Sequence, residues 1–67
     1  MSREIARRVR RIQKAMMAGN YIDDDEVQVR DVLADLRHYC DALDIDFADE
    51  DRIAHDHYLA EREAAAS

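Results

Sequence analysis

Three histidines and a single cysteine are the side chains here best suited to bind a metal or move a proton, and their spacing limits what they can do. His55 and His57 straddle Asp56, and His38 precedes Cys40 by two positions. On a helix, residues two apart point in different directions, so neither pair can chelate one ion. A helical metal pair needs a spacing of three or four, and no pair of His or Cys has it. The histidines therefore read as surface or boundary residues, and no metal or cofactor is expected. There is also no glycine-rich phosphate loop and no serine at a strand-turn-helix elbow. A bundle this small rarely encloses a ligand-sized pocket, so the chain is expected not to be an enzyme.

Charge offers more. The net charge of −6 hides two unlike ends. Met1 to Asn20 holds six basic residues (Arg3, Arg7, Arg8, Arg10, Arg11, Lys14) against Glu4, a balance of +5, whereas Tyr21 onward holds four basic residues against fifteen acids, a balance of −11. The arginine-rich segment could follow a phosphate backbone, but it has no aromatic residue to stack on bases and only Gln13 to read an edge. Its plainer reading is a solvated basic face that neutralises acids on neighbouring helices. The acids form rows: Asp24, Asp31 and Asp35, then Asp44 and Asp46, then Asp49, Asp56 and Glu63 at successive sevens. Residues three or four apart on a helix rise about 5 to 6 Å along its axis. Nucleic-acid phosphates are spaced on a similar scale, roughly 3.4 Å of rise per step plus the winding. Rigidly held carboxylates could thus occupy a groove built for a polynucleotide. The plainer reading is an acidic surface that keeps the protein dissolved.

Those side chains must be held by helices. Proline is absent, glycine occurs once and alanine is abundant, which favours helix and leaves few hairpin turns. The central stretch is Asp23 to Leu43, where Val29, Val32, Leu33, Leu36, Cys40 and Leu43 mark one helical face and Asp24, Asp31 and Asp35 the opposite one. Asp23 with Glu26 three residues later predicts a capping box at its start. Before it, Ser2 predicts the cap of a first helix to about Met17, with Ile5, Val9, Ile12 and Met16 as its stripe. Arg3, Arg7, Arg10 and Lys14 lie roughly opposite that stripe. Gly19 and Asn20 supply positive φ to stop it, and Ile22 is expected to close the core as a staple. Asp46 with Asp49 predicts the cap of a third helix to about Ala64, followed by a frayed tail. Its face of Phe47, Ala54 and Tyr58, with Ile53 and His57 beside it, is the poorest of the three. Leu59 points elsewhere, and Glu50 and Glu61 fall near the seam.

The expected architecture is all-α: one domain, residues 1–67, folded as a small antiparallel three-helix bundle with helices at about 3–17, 24–43 and 47–64. A chain of 67 residues hides a modest share of its surface, so stability should be modest unless a partner adds to it. The lone cysteine fits a reducing compartment. The absence of a spanning apolar run and of a secretion-signal core leads to the expectation of a soluble, cytoplasmic protein with no membrane partner.

The run DVLADLRHYCDALDIDFADEDRIAHDHYLAE, Asp31 to Glu61, resembles a segment of small proteins from phages and other mobile elements. In size, acidity and helical content the chain also resembles anti-CRISPR proteins, particularly those acting on type I-C systems. That resemblance implies a stoichiometric inhibitor in the bacterial host's cytoplasm that binds a subunit of the surveillance complex and blocks target-DNA binding as an acidic DNA mimic. Asp24, Asp31, Asp35, Asp44, Asp46, Asp49 and Asp56 are then the expected partner-binding residues, with Tyr39 and Tyr58 as candidate aromatic anchors or core residues. No direct DNA binding is expected, and the state is a monomer or weak dimer. The alternatives are a small nucleic-acid-binding or regulatory protein using the arginine helix, and an antitoxin-like protein-binding module whose third helix folds on its target.

Overall fold

The first and third helices begin where a short polar side chain accepts a free backbone N–H of the first turn. The computed structural model describes residues 2–66, with α1 (Arg3–Ala18), α2 (Asp25–Ala42) and α3 (Phe47–Ala66). No strand occurs among the described residues, and the fold is an all-α three-helix arrangement. The Ser2 hydroxyl accepts the Ile5 backbone N–H at 3.1 Å, and Asp46 Oδ1 accepts that of Asp49 at 3.2 Å, so both predicted caps form. The predicted box at Asp23 and Glu26 does not form. Asp24 holds the N-cap position of α2 without a side-chain cap, while the Asp23 carbonyl accepts a hydrogen bond from the Gln28 amide. α2 therefore starts one residue later than the box would set it.

The helix ends share one device. After α1, the Tyr21 N–H donates to the Met16 carbonyl at 3.0 Å and the Asn20 N–H to that of Met17 at 3.1 Å, the paired bonds of a Schellman turn. Asn20 alone takes positive φ there, at 64°, while Gly19 at −81° is ordinary helical backbone, which corrects the role expected of it. Gly19 has another use. A Cβ at this position would lie 2.7 Å from Tyr21 Cε2, so the absence of a side chain lets the Tyr21 ring lie against the helix end. After α2, Ile45 donates to Cys40 at 2.8 Å and Asp44 to Asp41 at 3.3 Å, with Asp44 at φ 60°. The expected frayed tail is helical through Ala66, and Ser67 lies outside the described residues.

The helices do not close tightly on one another. A folded chain of this mass ordinarily exposes roughly 4,400 Å², and this one exposes 5921 Å². Its radius of gyration is 13.6 Å, against about 11 Å for a compact chain of the same length. Among the described residues only Cys40 is buried, at 6% exposure. Ile5, Met16, Val27, Val32, Phe47 and Ile53 are half-buried, whereas Val9, Ile12, Val29, Leu33, Leu36 and Leu43 are exposed. Each expected stripe keeps a few covered positions, Ile5 and Met16, Val32 and Cys40, Phe47 and Ile53, and much of its length is uncovered. Ile22 is 80% exposed and is no staple. Leu59 is exposed, in keeping with its position off the seam. No helix among the described residues is long and apolar enough to cross a membrane.

Polar contacts carry part of the helix–helix joining. Arg8 Nε meets Glu61 Oε2 at 2.9 Å across α1 and α3, so the acid near the third helix's seam is half-buried and paired. A pair with this much exposure contributes about 0 to 1 kcal/mol. At the α2–α3 corner the Arg37 guanidinium lies 4.2 Å from the centre of the Phe47 ring, a cation–π contact that fixes the first turn of α3.

Candidate functional site

The seven aspartates named from the sequence are all exposed, and the helices sort them into three groups. Asp24, Asp31 and Asp35 follow α2; Asp44, Asp46 and Asp49 cluster through the α2–α3 corner; Asp56 stands alone midway along α3. From Asp24 to Asp44 the helical rise spans about 30 Å, roughly the axial length of nine nucleotides on one strand.

Their surroundings decide how much charge faces outward. Among the described residues, Asp49 is the one member of the set in an ion pair, with Arg52 one turn later at 2.8 Å. Asp46 spends one oxygen capping α3, and Asp35 accepts a 2.5 Å hydrogen bond from the Tyr21 hydroxyl. The basic helix reaches none of the seven. Arg7 pairs with Glu4 in its own helix at 3.2 Å, and Arg8 with Glu61. Of the neutralisation of neighbouring acids read from the sequence, the structure gives the Arg8–Glu61 pair.

Tyr21, not among the candidates named from the sequence, touches one of them. It follows the Schellman turn, lies against Gly19 and reaches Asp35 fourteen residues away, a distance no local pattern reveals. The hydrogen bond to Asp35, then desolvation, then the charges of Asp35 and Asp31 raise its phenol above the ordinary 10.0. A raised folded-state value means the contact stabilises fully at pH below the unfolded phenol's value and is lost as pH climbs through the folded one. Subtracting the alkaline phenolate titration of Tyr21→Phe from that of the wild-type protein should leave one transition centred above 10.0. A midpoint at or below that value rejects the Tyr21–Asp35 bond.

The remaining candidates are dispersed. Tyr39 and Tyr58 are both exposed, so they are edge residues rather than core. Tyr58 stacks on His55 with ring centres 6.2 Å apart, and the Arg62 guanidinium lies 5.6 Å from its ring centre. His38 and His57 are exposed and Cys40 is buried. No three of the described His, Cys, Asp and Glu residues converge as a metal-binding group. Open grooves run between α1 and α3, and a separate basic concavity is lined by Arg7, Arg10, Arg11 and Lys14 along α1. No protein-family model, curated protein or solved structure matches the chain.

Proposed function

We propose that the protein is a non-enzymatic inhibitor that presents carboxylates from α2, α3 and the corner between them to a polynucleotide-reading protein surface. In its specific form the reading is a phage-encoded anti-CRISPR that occupies the target-DNA groove of a type I complex, the I-C type being the one its size, acidity and helical content resemble. The single observation that supports it is that all seven aspartates are exposed and none is engaged by the basic residues of α1. Charge held outward on stiff helices displaces the same counterions as a phosphate strand and is steered by the same field.

The test must separate charge from folding. Asp46 and Asp49 build the start of α3, so reversing them would confound the two. Asp24, Asp31 and Asp56 make no side-chain hydrogen bond or ion pair among the described residues. The triple variant Asp24→Asn, Asp31→Lys, Asp56→Lys is expected to keep its helical circular dichroism and lose at least about tenfold in inhibition of target-DNA binding by a purified type I complex. Undiminished inhibition by the folded variant rejects the mechanism.

One observation favours a second reading. Arg7, Arg10, Arg11 and Lys14 share one concavity, and no acid of α2 or α3 occupies it. A nucleic-acid-binding protein would use this face, and its gel-shift affinity would fall steeply with salt. A mimic shows no shift at all.

A further inference from the structure

One side of α1 is a continuous track of positive charge. At 3.6 residues per turn, Arg3, Arg7, Arg10, Arg11 and Lys14 fall within an arc of about 100°. From Arg3 to Lys14 every side chain in that arc is a cation, and all five are exposed. The arc lies opposite Ile5, Val9, Ile12 and Met16. Arg7, Arg10, Arg11 and Lys14 line one open concavity, and the helical rise from the first to the last is about 10 Å. Glu4 borders the arc and pairs with Arg7 at 3.2 Å, whereas among the described residues Arg3, Arg10, Arg11 and Lys14 make no ion pair. Arg3 and Arg7, Arg7 and Arg11, and Arg10 and Lys14 are like charges four residues apart, an arrangement that destabilises a helix. An anion laid along the arc relieves that repulsion.

We propose that this face binds a linear polyphosphate, a chain of phosphates without bases. Five cations in line against one acid call for an anion with several charges in line. α1 has no aromatic side chain to stack on a base, and its one amide, Gln13, lies outside the arc, so nothing there rewards the bases of a nucleic acid. A nucleic-acid strand also separates its phosphates by sugars, whereas bare phosphates are joined through a single oxygen. The bare chain therefore presents more charge to the same length of helix. An anionic bilayer fits worse. No apolar residue from Arg3 to Lys14 falls in the arc to enter the lipid, and a broad surface also meets the field of the segment from Tyr21 onward, whose balance is −11. A narrow chain lies along one helix, and beyond about 8 Å salt screens those acids from it. The site is independent of the carboxylates of the inhibitor reading, and the absence of bases sets its ligand apart from that of the nucleic-acid reading.

Isothermal titration calorimetry of the full chain with a short inorganic polyphosphate at low salt tests it. Binding is expected, with an affinity that falls linearly on logarithmic axes as salt rises. An oligothymidylate with the same number of phosphates should bind at least about tenfold more weakly, and phosphatidylserine vesicles should not retain the protein. The variant Arg10→Gln, Arg11→Gln, Lys14→Gln should keep its helical circular dichroism and lose at least about tenfold in polyphosphate affinity, while Arg30→Gln on α2 stays within about twofold of the wild type. A wild-type chain that binds no polyphosphate overturns the inference. So does an oligothymidylate that binds as tightly, which returns the face to nucleic acid, or retention by the vesicles, which assigns it to a membrane. Equal polyphosphate affinity in the folded triple variant also overturns it.

Discussion

Phe47→Ala is expected to lower the melting temperature by about 10 °C at a fixed protein concentration, a shift near the limit that a domain this small can bear. The expectation follows from how little else is covered. Phe47 is half-buried at the first position of α3, and the Arg37 guanidinium of α2 lies over its ring. Truncating a fully buried phenylalanine costs about 3 to 5 kcal/mol. Half burial with a partly exposed cation–π contact scales this to roughly 2 kcal/mol. In a domain of 60 to 100 residues each kcal/mol shifts the midpoint by roughly 4 to 8 °C. Phe47→Leu keeps most of the volume and loses the cation–π contact, so it should shift the midpoint by less than half as much. Tyr39→Ala, on an exposed ring, is the control that should change little. Thermal unfolding followed by helical circular dichroism ranks the three. A Phe47→Ala midpoint no lower than that of Tyr39→Ala removes the corner from the account of stability.

That dependence on one corner was only partly legible in the amino-acid order. Periodicity marked faces of which only part is covered (Ile5 and Met16, Val32 and Cys40, Phe47 and Ile53), while Ser2 and Asp46 cap where a short polar side chain before an apolar repeat should. These are local effects, settled within a few residues. Whether anything covers a stripe depends on how three stripes meet, which spacing along one helix does not encode; hence Leu33 and Leu36 were read as core and stand exposed. Turn chemistry misled in a smaller way. Glycine is the usual left-handed residue, yet here Asn20 takes that conformation, and Gly19 is required by the Tyr21 ring instead. Helical geometry set Asp35 opposite the apolar stripe of α2, yet it lines a groove with Val32 and Leu36 and accepts the Tyr21 hydrogen bond, which joins residues fourteen apart and left no local trace. The Arg8–Glu61 pair was foreshadowed by an acid near an apolar seam with a basic helix to answer it.

Asp44→Gly is expected to do the opposite of Phe47→Ala and raise the melting temperature by about 4 to 8 °C, corresponding to about 1 kcal/mol. Asp44 closes α2 at φ 60°, where any Cβ crowds the following carbonyl. That crowding costs roughly 1 to 2 kcal/mol for most L-residues and less for aspartate, whose short polar side chain is better tolerated there. Its charge also sits at the negative end of the helix dipole, an unfavourable placement of about 0.3 to 1 kcal/mol. Glycine removes both terms, against a greater loss of backbone freedom on folding. Asp44→Asn isolates the charge, since asparagine keeps a similar backbone tolerance, and should recover less than half of the gain. Asn20→Gly isolates the backbone at the equivalent position after α1 and should gain less than Asp44→Gly because no charge is lost. Thermal melts of the three variants resolve the terms, and an Asp44→Gly protein that melts below the wild type contradicts the αL assignment. The same variant also separates stability from activity. Under the inhibitor reading, removing the Asp44 carboxylate weakens inhibition although the protein is more stable, and a scaffold effect alone would move both in the same direction.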